Sequence, residues 1–201
     1  MVRILRIGVL CIQGAISEHH QALTRTFLEM GITGTSVNIR KPEDVNDIDA
    51  IIIPGGESTT IARILIQSGI FIRLLNRIEE NNIAILGTCA GCVLLANKLT
   101  NPPAVQDIQL LQAMSMEVER NAFGRQKESF EHPIDISGLD IAFNAVFIRA
   151  PIIRKTWQNC MPISYFENNI IAAKQDRFLA LSFHPELTND TRIHRLFIDM
   201  I

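Results

Sequence analysis

Three short runs in the first half of the chain carry almost no polar side chain: residues 4–12, broken only by Arg6, residues 50–53 and residues 83–86. A strand with one face in water alternates apolar and polar residues. A strand that is apolar at every position is covered on both faces. Between these runs, residues 17–30, 58–67 and 71–81 carry apolar residues at helical spacing, and Gly31 follows the first of them as a stop signal. Residues 35–39 are β-rich, residues 41–44 form a loop, and residues 93–98 resume a helical pattern. Buried strands alternating with helices predict an open, mostly parallel sheet with helices on both faces. Ligands of such sheets bind at the carboxyl ends of the strands.

The second half changes character. Residues 114–118, 134–136, 145–148, 170–174 and 178–183 read as strands joined by tight turns, an antiparallel extension of the sheet. A helix over about 190–200 follows. No Pro/Gly/Ser-rich linker separates the halves, so residues 1–201 are expected to form one domain.

Charge narrows the classes of function. There are 19 basic and 21 acidic residues, a net charge of −2, which leaves no positive field for nucleic acid or an anionic membrane. No apolar stretch approaches the ~18 residues of a membrane span. The N-terminal segment, residues 1–12, contains Arg3 and Arg6 and leads straight into Gln13-Gly14, so it reads as a strand rather than a signal peptide. Four cysteines, Cys11, Cys89, Cys92 and Cys160, are too few in 201 residues for a disulfide scaffold. A reducing, cytoplasmic setting is expected, and each cysteine must be a core residue, a ligand or a nucleophile.

Gly87-Thr88-Cys89-Ala90-Gly91 lies between a buried strand and a helix. It is the thiol counterpart of the G-x-S-x-G elbow, a turn that holds a nucleophile exposed in a strained conformation. The helix start beyond it offers oriented N–H groups and a positive dipole end, which favour a thiolate. The N–H of Ala90 would face an oxyanion. The competing reading is a buried core cysteine.

His184-Pro185-Glu186 ends another apolar strand. Residues two apart project to the same side of an extended segment. Glu186 could therefore orient the imidazole of His184, which would take the proton of Cys89 and return it to a leaving amine. The competing reading is a surface turn with an incidental pair. Both motifs at separate strand ends favour a Cys89-His184-Glu186 triad. In Pro54-Gly55-Gly56-Glu57-Ser58 the second glycine lets backbone approach a ligand, and the Gly56 N–H is a candidate second oxyanion donor. An ordinary βα turn capped by Ser58 is the alternative. Cys89-x-x-Cys92 would fit a redox pair or half a zinc site, but His19, His20, His132 and His194 form no pair with metal-ligand spacing. His19-His20 reads as a helix start, Cys11 as part of a core strand, and Cys92 as a packing residue.

These motifs belong to a longer series. Gln13-Gly14, Pro54-Gly55-Gly56-Glu57-Ser58-Thr59-Thr60, Gly87-Thr88-Cys89-Ala90-Gly91, Glu119-Arg120-Asn121-Ala122-Phe123-Gly124-Arg125-Gln126, Ser129-Phe130-Glu131, Phe147-Ile148-Arg149-Ala150-Pro151, Ala172-Ala173-Lys174-Gln175 and Ser182-Phe183-His184-Pro185-Glu186-Leu187 run in order along the chain. The series resembles the glutaminase subunits of pyridoxal 5′-phosphate synthase, the PdxT/SNO group of class I glutamine amidotransferases. The resemblance implies a three-layer, flavodoxin-like α/β fold, with Cys89 as nucleophile completed by His184 and Glu186. It implies an oxyanion hole from Gly56 and Ala90, and L-glutamine held by Gly56, Glu57, Ser58, Arg120, Ile148 and Arg149. Gln13 and Gly55 would support that loop. Ammonia would pass to a synthase partner, a PdxS/SNZ-type (β/α)₈ barrel, in a large hetero-oligomer. No metal and no cofactor is expected on this chain.

One departure stands out: Gln109 occupies the place where relatives carry a glycine before Leu110-Leu111, which puts the shape of the 101–111 loop in doubt. Two other classes remain open, a catalytically weak assembly partner and a DJ-1/PfpI-like cysteine hydrolase. The late His184-Pro185-Glu186 argues against the second.

Overall fold

The computed structural model describes residues 4–101, 108–123 and 129–201. Its first half follows the alternation of the sequence. β1 (Leu5–Leu10), α1 (Ile16–Met30), β2 (Gly34–Ile39), β3 (Ala50–Ile53), α2 (Ser58–Gln67), α3 (Ile70–Glu79) and β4 (Ala84–Thr88) come in that order. Then come α4 (Ala90–Leu95), β5 (Ala96–Leu99), β6 (Met114–Glu119), β7 (Ser129–Ile134), β8 (Phe143–Ile148), β9 (Ile152–Thr156), β10 (Met161–Phe166), β11 (Asn169–Gln175), β12 (Phe178–Leu181) and α5 (Arg192–Ile198).

The main sheet has the order β2-β1-β3-β4-β12-β11-β9-β6-β5, with β10 also paired to β11. Pairing is parallel from β2 through β12. Beyond β12 it turns antiparallel, through β11, β9 and β6. The parallel sheet with an antiparallel extension is thus present. β7 and β8 form a separate hairpin. It carries Phe130 and Phe147, stacked with centroids 4.6 Å apart.

Side-chain alternation along the strands divides the core in two. Ile51, Ile53 and Ile85 join Ile61 and Leu65 of α2, Leu74 of α3 and Leu94 of α4 on one face. Ala50, Ile52 and Leu86 join Leu23 and Phe27 of α1 and Ile193 and Phe197 of α5 on the other. Two apolar faces sandwiched between helices are the three layers that the uninterrupted strands required.

Several elements differ from the sequence expectation. The helix expected over 93–98 begins immediately after Cys89 and ends at Leu95, and Ala96–Leu99 is a strand against β6. Pairing with a neighbour outweighs the weak helical preference of four residues. Residues 134–136 do not form a strand of their own. Ile134 closes β7, while Ile136 makes a lone bridge to Ser164. β9 and β10 carry no strand signal in the sequence, because Arg154-Lys155 and Pro162 interrupt their apolar pattern. Cys11 lies one residue past β1 and is half-buried, with its thiol donating to Asn38 Oδ1 at 2.9 Å. Of the atypical loop, residues 102–107 lie outside the described residues. Leu111 is buried and its N–H donates to Leu94 O at 2.8 Å.

Candidate active site

Cys89 and His184 stand at the ends of adjacent parallel strands. The register pairs Leu181 of β12 with Thr88 of β4, and the Cys89 N–H donates to Leu181 O at 2.8 Å. The thiol therefore leaves β4 beside the point where the chain turns out of β12 towards His184.

The elbow has the expected strain. Cys89 adopts φ 49° and ψ −101°, a conformation that costs on the order of 1–3 kcal/mol and is kept only where the surroundings enforce it. The two flanking glycines enforce it by close approach. A Cβ on Gly87 would lie 2.5 Å from the Gly91 carbonyl carbon, and one on Gly91 would lie 2.1 Å from the Ile53 oxygen. Ala90 opens α4, so its N–H has no acceptor within the helix.

His184 Nδ1 lies 2.7 Å from Glu186 Oε1, with the carboxylate fully buried and the imidazole nearly so. A 3₁₀ turn over Pro185–Leu187 brings the carboxylate back under the ring. The backbone N–H of His184 donates to Val146 O at 2.8 Å, which ties the turn to β8. Burial works against protonation of His184, but hydrogen bonding and charge from Cys89 and Glu186 outweigh it, and the imidazole is pushed up to about 10. It can then protonate a departing amine. Burial also opposes ionisation of Glu186. The neighbouring His19 and the bond from His184 overcome it and hold the carboxyl below the usual range. Cys89 Sγ lies 3.7 Å from the Ile148 carbonyl oxygen.

The glycine turn after β3 closes the other side. A Cβ on Gly55 would lie 2.4 Å from His184 Cε1 and 3.3 Å from Cys89 Cβ. Only a residue without a side chain lets thiol and imidazole meet there. Gly56 has φ +146°, and Gln13 Oε1 accepts the Glu57 N–H at 2.9 Å, so Gln13 anchors this loop. Ser58 is the first residue of α2 rather than its cap, which is Glu57.

A cavity of ≈ 450 Å³ opens over these groups. Gln13, Gly56, Glu57, Ser58, Cys89, Ala90, Arg120, Ile148, Arg149 and His184 line it. Of the sequence-predicted residues, only Gly55 and Glu186 lie outside the lining, one beneath the thiol and the other behind the imidazole. Val93, Asn121, Ser129 and Pro151 also line it; no sequence signal marks them beyond the motifs in which three of them sit. Arg120 Nη2 is 2.9 Å from Glu57 Oε1, so the carboxylate-binding candidate already holds a carboxylate. A larger open depression of ≈ 1040 Å³, lined by His132 and Tyr165 among others, contains none of the predicted residues. Gly124, Arg125 and Gln126 of the fourth motif lie outside the described residues.

Burial pushes the Cys160 thiol up to about 11 and the Cys92 thiol higher still, so both stay protonated. Among the described residues no three His, Cys, Asp or Glu side chains are grouped to hold a metal, and no single helix is long and apolar enough to cross a membrane.

The model of the SNO glutamine amidotransferase family matches residues 9–201. The chain belongs to that family. It is 45% identical over 203 residues to the pyridoxal 5′-phosphate synthase subunit PdxT of Staphylothermus marinus, covering 98% of each chain. It is 43% identical over 195 residues to the PdxT of Thermococcus onnurineus, covering 96% of this chain and 98% of that one. A crystal structure described as a glutamine amidotransferase superposes with TM-score 0.86 at 40% identity, over 96% of this chain and 97% of that one. A glutamine amidotransferase from Thermotoga maritima, 13% identical, shares the fold with TM-score 0.61 over 97% of this chain and 81% of that one.

Proposed function

We propose that this SNO-family chain hydrolyses L-glutamine to L-glutamate and ammonia at Cys89, and supplies the ammonia to a synthase subunit that makes pyridoxal 5′-phosphate. The observation that carries the reading is the thiol of a strained elbow meeting a Glu186-bound His184 inside a cavity that also presents Glu57 and Arg120.

The Cys89 sulfur attacks the side-chain amide carbon of glutamine. The resulting oxyanion is held by the N–H groups of Gly56 and Ala90, each worth roughly 10²–10³ in rate. His184 protonates the departing nitrogen, and ammonia leaves. Water, deprotonated by His184, then attacks the thioester and releases glutamate. At the other end of the substrate, Arg120 takes the α-carboxylate through charge-assisted hydrogen bonds and Glu57 takes the α-ammonium. Ser58, Ile148 and Arg149 complete the glutamine contacts, and Gln13 and Gly55 keep the oxyanion loop in place. Free ammonia is mostly protonated at neutral pH and non-nucleophilic, so it is best delivered directly. A (β/α)₈-barrel synthase in a hetero-oligomer, in the cytoplasm, is the partner we assign.

Glutamate release is measured with and without a PdxS-type synthase subunit. Cys89→Ala is expected to abolish it, and Cys92→Ala to retain it. The synthase is expected to raise the activity of the wild-type chain strongly. Equal loss in the two cysteine variants would overturn the assignment of the nucleophile.

A further inference from the structure

Around Glu186 the structure gathers two more imidazoles. His19 lies in the first turn of α1 and His194 on α5, and both are 0% exposed. His19 Nε2 stands 3.5 Å from Glu186 Oε1, the same oxygen that His184 engages. His194 Nε2 stands 3.5 Å from His19 Nδ1, with the rings edge-on. Imidazole, carboxylate, imidazole and imidazole thus follow one another from His184 to His194.

A core that needed only volume here would take leucine, since burying polar rings is costly. The protonation states agree with a polar role. Burial pushes His194 down to about 3. Burial also lowers His19, against the pull of Glu186. Both rings are therefore neutral at physiological pH and carry one N–H each. If His19 directs Nε2–H at Glu186, its Nδ1 is an acceptor for the Nε2–H of His194, and each ring has one tautomer. The other charged or titratable groups around the pair are Glu18, His20 and Arg25 on α1 and His184 beyond Glu186. His20 is held away by Ser36 and Asn38.

Glu186 needs such a tether. Its Oε2 has no hydrogen-bond partner among the described residues, so only Oε1 is oriented. The 3.5 Å contact is longer than a formed N–H···O bond, as catalytic contacts often are before substrate closes the site.

We propose that His19 is a positioning residue of the triad, holding Glu186 Oε1 in line with His184 Nδ1, with His194 fixing the tautomer of His19. The proposal rests on the glutaminase reading for its kinetic effect, but the geometry can be tested without it.

The full chain is compared with His19→Leu, which removes the donor, and His19→Gln, whose amide keeps one. Two quantities are read: glutaminase kinetics with the synthase subunit present, and the pH dependence of Cys89 alkylation by iodoacetamide, followed by peptide mass. His19→Leu is expected to lower kcat roughly tenfold with KM nearly unchanged. With Glu186 no longer held in line, the imidazolium of His184 is less stabilised and supports the Cys89 thiolate less, so the midpoint of alkylation should move up by about half a pH unit or more. His19→Gln should recover most of both. If the Leu variant does not fold, His19→Asn, whose amide is too short to reach Glu186, replaces it. A wild-type alkylation profile in the donor-less variant, or a Gln variant no better than it, overturns the proposal. A shifted profile in a chain that does not hydrolyse glutamine would uphold the positioning role and remove the glutaminase reading.

Discussion

Arg120 Nη2 and Glu57 Oε1 face each other at 2.9 Å in the cavity lining. The pair is a small dipole, and a zwitterionic amino acid is its complement: carboxylate towards the guanidinium, ammonium towards the carboxylate. In the proposed binding mode, glutamine exchanges one ion pair for two. Arg120→Met should raise KM for glutamine by about 10- to 100-fold, the range of a charge-assisted hydrogen bond. It should change kcat little, because the contact is the same in ground and transition states. Steady-state kinetics separate the two constants.

The elbow glycines give a steric prediction. A Cβ on Gly91 would press on the backbone oxygen of Ile53, which belongs to β3 and cannot swing aside. Gly91→Ala is expected to shift Cys89 and reduce glutaminase activity at least about 100-fold, comparable to losing an oxyanion donor. Gly31→Ala is the control. Its Cβ meets nothing within 4 Å, and only its φ of +62° opposes the change. It should cost about 1–2 kcal/mol of stability and leave activity intact, as read by thermal melts and assay together.

On the proposed triad, Glu186 sets the alkaline limit of the reaction. With it, His184 remains an imidazolium until about pH 10. Glu186→Gln removes the charge and the acceptor, burial is left to act alone, and the imidazole pKa falls. The alkaline limb of the pH profile of kcat/KM should move down accordingly. A limb unmoved in the variant would mean that His184 is not the group being titrated.

Buried neutral histidines also predict acid lability. His194 titrates near 3 folded against an ordinary value of 6.5. Between those values the unfolded chain holds the extra proton. The contribution is therefore fully present above 6.5 and is lost as pH falls below it. His19, lowered by burial as well, acts in the same direction. The unfolding free energy from urea titrations should fall between about pH 7 and pH 5, with a slope from His194 approaching about 1.4 kcal/mol per pH unit. His194→Leu should remove its share of that slope.

The candidate catalytic residues are legible in the sequence because each lies in a local pattern. Cys89 is marked by its two glycines, and Glu186 by its spacing from His184. The three-layer core was equally legible, since residues 50–53 and 83–86 are apolar at every position. His19 was not legible as a neighbour of Glu186. Nothing local distinguishes an inward from an outward histidine in a His19-His20 pair, and His194 reaches it only after the chain has closed. β10 escaped for a similar reason: Ile163 and Ser164 alone are buried in it, so it depends on β11 rather than on its own pattern. The internal pairing of Arg120 with Glu57 joins two loops that no motif connects.

β12 inserts between β4 and β11, in the middle of the sheet and last of its parallel strands. Parallel pairing of segments far apart in the chain forms slowly. Until that strand is in place, Cys89 has neither its backbone acceptor on Leu181 nor its imidazole. A nascent chain on the ribosome therefore carries an unremarkable thiol, and chemical reactivity appears only with the final act of folding.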